Sequence, residues 1–299
     1  MAPRQSPRIQ PNARLDPEGI RVSNDGKMVF VSDEYGLYIH QFDRMTGKRV
    51  KSFTLPANLA ITTLSPQKQV EIDNNLVGRV TNKGMEGLVI TPDGNTLVGI
   101  MQANLEQDKK KSLRIVTIDL TGGATHEYAY KLTDGSSVSD ILAVNNHQFL
   151  VDERDGNGLA DTPLLTDTAS AAVVKKLYLI DLDGAQDVTS VTGDLSKFAV
   201  SKIEEPFLDI VAKLTAAGID QFFIPSKIEG ISFGPDVVIH GETKNTLFVA
   251  NDNDFLAIIA DPLKSPDDPA RGMVTNPNQF YVFAFSDSEL PGFISQKLK

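Results

Sequence analysis

The chain contains no cysteine and only four histidines among its 299 residues. The absence of cysteine excludes a thiol nucleophile, a thiolate metal site and any disulfide. No apolar run approaches the roughly 18 residues that a membrane-spanning helix requires, so we expect no membrane partner. The net charge of −10 argues against a nucleic-acid partner, because phosphate contacts need clustered lysine and arginine.

Four segments of the sequence begin alike: an acidic residue opens a short apolar strand, and a tight turn leads to a second strand. The four acidic residues are Glu18, Glu86, Asp140 and Glu229. Repeats that each contain several strands predict an all-β fold, namely a β-propeller with long irregular loops. Apolar residues at helical spacing also predict a short helical insertion near 206–217.

The same repeats divide the chain into three parts. We expect a flexible N-terminal arm over residues 1–13, a single propeller domain over 14–290 and a C-terminal tail over 291–299. The first residues are basic and rich in proline, and no apolar segment follows them. The chain as given is therefore not expected to carry a signal peptide.

Carboxylates should converge at one mouth of the propeller. In each blade the innermost strand starts at the face to which the second strand returns, so residues at these two positions should meet around the central channel. The predicted metal ligands are the four strand-opening acids and four acids at second-strand ends: Glu18, Glu86, Asp140, Glu229, Asp33, Glu34, Glu153 and Asp252. Hard oxygen ligands favour Ca²⁺, with Mg²⁺ as the second choice. The alternative is that the Glu-Gly and Asp-Gly pairs serve only as turn residues between blades.

Several motifs, in order, resemble the family described as esterase-like activity of phytase. They are Asp16-Pro17-Glu18-Gly19-Ile20, Gly84-Met85-Glu86-Gly87-Leu88, Phe149-Leu150-Val151-Asp152-Glu153-Arg154-Asp155, Lys227-Ile228-Glu229-Gly230 and Asn251-Asp252-Asn253-Asp254-Phe255. The resemblance implies a phytase-like β-propeller that is secreted or periplasmic and depends on calcium. It also implies a small-molecule ester or phosphate ester as the substrate of a hydrolase.

One departure from the family pattern concerns the start of the chain. Family members usually carry a further propeller segment upstream of the Asp-Pro-Glu-Gly motif, whereas only fifteen residues precede Asp16 here. We therefore expect either a domain that lacks an upstream blade or a propeller that closes with fewer blades.

A hydrolytic site would need a proton acceptor and cationic groups for the substrate. Glu86 or Glu229 could accept a proton from water. Arg154 is the best candidate to bind an anionic group, because its planar guanidinium suits phosphate or carboxylate; its alternative role is to neutralise the acids that flank it. Lys227 and Arg21 are further candidates for substrate binding.

Two other functions remain open at the level of sequence. One is a non-catalytic propeller that binds a ligand or partner and holds a structural metal; the other is a calcium-dependent lactonase. A serine hydrolase is suggested only by Gly230-Ile231-Ser232-Phe233-Gly234, which fits the nucleophile-elbow pattern. That pattern requires a strand–turn–helix context, whereas Ser232 is predicted to lie inside an innermost strand.

Overall fold

The computed structural model describes residues 15–36 and 38–296. The predicted N-terminal arm, residues 1–13, lies outside the described residues, as do the last three residues of the predicted tail.

The first two blades are four-stranded antiparallel sheets whose strands follow the order of the chain. The first blade consists of β1 (Pro17–Val22), β2 (Met28–Asp33), β3 (Tyr38–Asp43) and β4 (Arg49–Thr54). The second blade consists of β5 (Met85–Ile90), β6 (Thr96–Met101), β7 (Ser112–Asp119) and β8 (Thr125–Lys131).

The third and fourth blades are less regular. The third contains β9 (Ser137–Ala143), β10 (Gln148–Arg154) and β11 (Lys175–Asp181), with the short strands β12 (Ser201–Lys202) and β13 (Leu208–Asp209) paired to β11. The next strands are β14 (Ile228–Ile239), β15 (Glu242–Asn251), β16 (Ile258–Ala260), β17 (Met273–Thr275) and β18 (Phe280–Phe285). The fourth blade has the order β14-β15-β18, and β16 pairs with β17 in a separate hairpin.

Helical structure among the described residues is limited to short segments. They are α1 (Lys68–Asn74), α2 (Ile210–Ala216) and three 3₁₀ turns at Ala57–Leu59, Ser196–Phe198 and Gln221–Phe223. Helix α2 confirms the predicted insertion but starts later than residue 206, because Leu208–Asp209 pairs with β11. The Asp209 side chain accepts a hydrogen bond from the Ala212 amide and so caps the helix. No described helix is long and apolar enough to cross a membrane.

The blades are arranged as in a propeller, which confirms the predicted fold class. The innermost strands β1, β5, β9 and β14 pack side by side in that order. Apolar side chains fill the space between neighbouring blades; Phe30 and Ile39 of the first blade, for example, pack with Leu88 and Leu97 of the second. The core is therefore made between blades, and the channel between the innermost strands is left for polar groups.

Glycine allows these innermost strands to approach one another closely. A Cβ atom on Gly19 would lie 2.5 Å from the Cβ of Leu88 in the next blade. A Cβ on Gly87 would lie 2.8 Å from the Cα of Asp140 in the blade after that. The Glu-Gly pair thus has two parts: the acid faces the channel, and the glycine leaves room for the next strand.

Candidate functional site

A polar cavity of about 300 Å³ lies where the innermost strands begin. It is lined by Glu18, Glu34, Lys68, Thr81, Asn82, Lys83, Glu86, Gln102, Arg154, Lys227, Glu229 and Asp252. Seven of these residues were predicted from the sequence, and the structure brings them together from all four blades. The innermost strands supply three glutamates. The ends of the second strands supply Glu34, Gln102, Arg154 and Asp252.

A β-bulge at the start of every innermost strand turns the acidic residue out of the ladder. The register shifts between Pro17 and Ile20 in the first blade, and between Met85 and Gly87 in the second. The pairings of β9 with β10 and of β14 with β15 shift at the corresponding place. A bulge bends the strand and re-aims a side chain. This local geometry places Glu18, Glu86 and Glu229 in the cavity wall.

Two cavity acids of the first blade, Glu18 and Glu34, form a close acidic group with Asp16, which immediately precedes β1. One oxygen from each of Asp16, Glu18 and Glu34 lies within 4.8 Å of the other two. Glu34 is buried and Asp16 is half-buried, while solvent reaches Glu18. The spacing and the all-oxygen chemistry suit a hard cation such as Ca²⁺, whose remaining ligands could be water. Asp16 was missed as a ligand from the sequence, because it precedes the strand that carries Glu18.

Carboxyl groups in the cavity bind protons more strongly than usual. Burial in the cavity wall and repulsion from Glu34, Asp16 and Glu229 raise the pKa of Glu18 to about 8. Burial, reinforced by Asp16, raises the pKa of Glu34 to about 7. A bound cation would offset the repulsion between these carboxylates. The raised pKa values of Glu18 and Glu34 are therefore what a cation site without its cation would show.

Glu86 is a buried acid of the cavity. Its Oε1 accepts a 2.7 Å hydrogen bond from Gln102, whereas its buried Oε2 has no hydrogen-bond partner among the described residues. Burial, together with the charges of Glu18, Glu34 and Glu229, raises the Glu86 pKa well above its ordinary value. Because an ionised and unsatisfied oxygen is costly in such a place, Glu86 favours the protonated form when no cation is bound.

Cationic side chains occupy the other side of the cavity. Arg154 Nη2 donates a 2.7 Å hydrogen bond to Glu229, and Lys227 Nζ lies 2.7 Å from Asp254 and 3.2 Å from Asp252. Burial raises the pKa of Glu229, while the charges of Arg154 and Lys227 oppose that rise. Glu229 is thus the cavity glutamate that contacts positively charged side chains directly, namely Arg154 and Lys227.

Four residues predicted for the mouth are engaged elsewhere. Asp140 pairs with Arg21 at 2.9 Å and accepts a hydrogen bond from the Ile231 amide. Asp33 accepts hydrogen bonds from the amides of Asp16 and Tyr35, and therefore shapes the loop that carries Glu34. The Asp140 contacts link the innermost strands of the first, third and fourth blades, and the Asp33 contacts fix the loop after β2.

Glu153 points away from the cavity. It bonds to the Tyr130 hydroxyl, to Lys202 and to backbone amides of residues 133–135. Successive side chains on a strand face opposite sides, so Arg154 reaches the cavity where its neighbour cannot.

Arg21 lines a second cavity of about 360 Å³. This cavity also includes Val89, Leu142 and Ser232, which lie several residues further along the innermost strands. Ser232 lies within β14, and its hydroxyl donates a hydrogen bond to the neighbouring Phe233 carbonyl. The strand–turn–helix context of a nucleophile elbow is not present around it.

Asp152 was not among the predicted ligands, yet it is fully buried and neither carboxylate oxygen has a hydrogen-bond partner among the described residues. Burial raises its pKa to about 8, against the opposing charges of Arg154 and Lys175. The acid-rich run Asp152-Glu153-Arg154-Asp155 was the only sequence signal for it.

Comparison with known proteins supports the family resemblance. A family model described as "Esterase-like activity of phytase" matches residues 3–255. An "Uncharacterized secreted protein" of Arthroderma benhamiae is 25% identical over 313 aligned residues, which cover 92% of this chain and 58% of that protein. The chain therefore spans a little over half the length of this relative.

Solved structures show only a remote likeness. A putative 6-phosphogluconolactonase from Bacteroides uniformis is 10% identical with a TM-score of 0.35, covering 89% of this chain and 58% of that chain. A second one, from Bacteroides fragilis, is 16% identical with a TM-score of 0.32, covering 65% and 39%. Neither similarity is high enough to transfer an activity.

Proposed function

Because the chain belongs to the phytase-like family described by esterase-like activity of phytase, we propose that it is a metal-dependent hydrolase of small phosphate or carboxylic esters. The observation that supports this proposal most is the cavity itself. It places Glu18 and Glu34, whose carboxylates cluster with that of Asp16, in one polar space with Arg154 and Lys227. The combination suits a substrate that carries negative charge and must be oriented next to a cation.

Asp16, Glu18 and Glu34 would hold the cation, for which we propose Ca²⁺. When bound, Ca²⁺ would polarise a phosphoryl or carbonyl oxygen and stabilise the negative charge that develops during hydrolysis. The raised pKa values of Glu18 and Glu34, which a positive charge beside them would lower, are the structural features that agree with a cation in this place.

The chain's own residues supply binding and proton transfer. Arg154 would bind an anionic oxygen of the substrate through its planar guanidinium, and Lys227 would add a second positive charge. The positive charges of Arg154 and Lys227 favour the ionised form of Glu229, which would accept a proton from the attacking water. Glu86, which favours the protonated form, would donate a proton to the leaving oxygen. Two acids with different surroundings can thus take opposite roles.

The relative from Arthroderma benhamiae is described as secreted, and we propose the same location for this protein. Export would place it where millimolar Ca²⁺ can saturate even a weak site.

Hydrolysis of p-nitrophenyl phosphate, p-nitrophenyl acetate and a panel of lactones, with Ca²⁺ or with EDTA, tests the proposal. We expect turnover of at least one ester class that is lost in EDTA and recovered when Ca²⁺ is restored. Hydrolysis of the lactones alone would identify a calcium-dependent lactonase. Absence of turnover from a folded, Ca²⁺-saturated protein would contradict the enzyme hypothesis.

The second candidate is a non-catalytic propeller with a structural metal. It is favoured by one observation: Arg154 and Lys227 already pair with acids of the cavity rim, so they are partly neutralised before any ligand binds. Thermal stabilisation by Ca²⁺ without any turnover would support this alternative.

A further inference from the structure

Two of the three side-chain nitrogens of Arg154 are already hydrogen-bonded within the protein. Nε donates a 2.5 Å hydrogen bond to the Ser139 hydroxyl, and Nη2 donates a 2.7 Å hydrogen bond to Oε1 of Glu229. Nη1 has no hydrogen-bond partner among the described residues, and Arg154 lines the cavity. Nη1 and the second hydrogen of Nη2 are therefore the part of the guanidinium that a bound anion can use.

The two partners of Arg154 act differently on its charge. Glu229 carries a negative charge when it is ionised, and so offsets part of the positive charge of the guanidinium. Ser139 is neutral, so its hydroxyl fixes the direction of Nε and leaves the charge unchanged. Because Ser139 is 2% exposed, water does not compete for this hydrogen bond. The hydroxyl can thus orient Arg154 without weakening its attraction for an anion.

The position of Ser139 is apolar in the other three blades. The residue before the strand-opening acid is Pro17 in the first blade, Met85 in the second and Ile228 in the fourth. Met85 and Ile228 pack in the hydrophobic core. Among the four second strands, only β10 of the third blade contains an arginine. A buried polar group needs a hydrogen-bond partner, and the hydroxyl occurs in the same blade as that arginine.

The backbone that carries Ser139 is held from two neighbouring blades. The Val138 amide donates a 3.2 Å hydrogen bond to the Gln102 carbonyl at the end of the second strand of the second blade. On the other side of Ser139, Asp140 pairs with Arg21 of the first blade. The Ser139 hydroxyl therefore projects from a fixed segment and can in turn fix a longer side chain.

We propose that Ser139 is a positioning residue, which holds the Arg154 guanidinium in the orientation that binds an anionic oxygen of the substrate. This inference rests on the proposed function, because it explains how Arg154 performs the binding role given to it there. A free arginine side chain has many rotamers, and their loss on ligand binding weakens affinity. Ser139 and Glu229 restrict Arg154 before the substrate arrives. The cavity should therefore favour esters that carry a negative charge over neutral esters.

Kinetics of Ser139→Ala test the proposal on two esters. We expect KM for p-nitrophenyl phosphate to rise by about 5- to 20-fold, the effect of losing one hydrogen bond to a charged group. The kcat value should change little, because Arg154 binds the anion in the ground state and in the transition state alike. KM for the neutral p-nitrophenyl acetate should stay the same. An equal rise of KM for both esters, or a fall in kcat alone, would overturn the proposal.

Ser137→Ala is the matched control. Ser137 lies on the same strand and is 6% exposed, but its hydroxyl has no hydrogen bond to Arg154. This variant loses a buried hydroxyl as Ser139→Ala does, and should keep the wild-type KM for both esters. A KM shift as large as that of Ser139→Ala would show a general effect of the strand, and would overturn the assignment.

Binding of phenylphosphonate separates this inference from the proposed hydrolase activity. Phenylphosphonate resembles a phosphate monoester but is not hydrolysed, and calorimetric titration of the Ca²⁺-loaded protein measures its affinity. Weaker binding to Ser139→Ala than to Ser137→Ala would support the role of Ser139 even if no ester were turned over. Equal affinity of the two variants, or no binding to the wild type, would overturn it even if esters were hydrolysed.

A double-mutant cycle tests whether Ser139 acts through Arg154. Arg154→Met removes the guanidinium and keeps an unbranched side chain. We expect Arg154→Met to weaken phenylphosphonate binding more than Ser139→Ala does, and Ser139→Ala to have no further effect when it is added to Arg154→Met. Circular dichroism and melting curves verify that each variant is folded. Losses of affinity that add independently would show that Ser139 does not act through Arg154, and would overturn the proposal.

Discussion

At the scale of single residues, the cavity acids differ in what surrounds them. Glu86 is buried with one unpartnered oxygen, whereas Glu229 bonds directly to Arg154. The difference cannot be deduced from the Glu-Gly motif that both residues share. It arises from the second strands, which place Gln102 beside one acid and Arg154 beside the other.

We expect Glu86→Gln and Glu229→Gln each to lower kcat by about 10²- to 10⁴-fold, because each removes a proton-transfer group. Both substitutions keep the side-chain shape, so the melting temperature should fall little. The measurement is the hydrolysis of whichever ester the wild type turns over. Glu242→Gln, at an exposed residue of the fourth blade, is the control and should retain full activity. Full activity of both cavity variants would show that the catalytic assignment is wrong.

Asp152 provides a prediction about stability. Its pKa is about 8 in the folded protein and has an ordinary value of 3.8, so the folded state holds this proton over a pH range in which the unfolded state has lost it. The Asp152 contribution therefore lowers the free energy of unfolding progressively from about pH 4 to pH 8.

The substitution Asp152→Asn removes this titration and keeps the size of the side chain. We expect the variant to be more resistant to urea than the wild type at pH 8, with a smaller difference at pH 5. Urea unfolding curves at the two pH values measure the effect. An equal difference at both values would indicate that Asp152 is not responsible for the pH dependence.

At the scale of the strand, the bulge and the glycine act together. The bulge turns the acid towards the channel, and the glycine lets the next innermost strand lie against the same backbone. Both are needed, because a side chain at Gly87 would hold the second and third blades apart and move their acids away from a common cavity.

We expect Gly87→Ala to destabilise the protein by about 1–3 kcal/mol, the usual cost of overpacking a close contact. The atoms that a new Cβ would meet belong to the Asp140 and Ile141 backbone, which cannot rotate away as a flexible side chain could. Thermal or urea unfolding measures the change. Gly156→Ala is the matched control, because a Cβ there meets no described atom within 4 Å. Equal stability of the two variants would contradict this account of the motif.

At the scale of the whole molecule, four blades contribute to one acid-rich cavity, and cation binding should couple to the stability of all of them. Ca²⁺ at 100 times its Kd should raise the free energy of unfolding by about 2.7 kcal/mol. EDTA should reverse the effect. Mg²⁺ should stabilise less, because it demands a stricter octahedral arrangement than three clustered carboxylates and water readily supply.

The affinity for Ca²⁺ should rise with pH. Because the pKa values of Glu34 and Glu18 are about 7 and 8 without a cation, binding must displace protons at neutral pH. Calorimetric titration at pH 6 and pH 9 should show weaker binding at pH 6. Glu34→Gln should weaken binding and reduce the pH dependence, while Glu242→Gln should change neither. Binding that is equally tight at both pH values would place the cation elsewhere.

The sequence alone determined the fold class and brought five of the predicted acids to one mouth. Acid-led apolar strands and Asp-Gly turns repeat along the chain, and local patterns of this kind report secondary structure and blade order. Because equivalent strand ends meet in any propeller, Glu18, Glu34, Glu86, Glu229 and Asp252 could be assigned to one cavity before a structure was known.

Only the tertiary structure decided which acids face that cavity and how each is paired. Asp140 has the same place in its repeat as Glu86, yet Arg21 from the first blade draws it into an ion pair. Asp16 joins Glu18 and Glu34 because its amide donates a hydrogen bond to the Asp33 carboxylate and its carbonyl accepts one from the Glu34 amide. The equivalent Ile20 and Ile231 also differ, since one is exposed and the other is buried against a neighbouring blade. Local sequence sets the position of a residue on its strand, but its charge partners and its burial depend on strands that are distant in the chain.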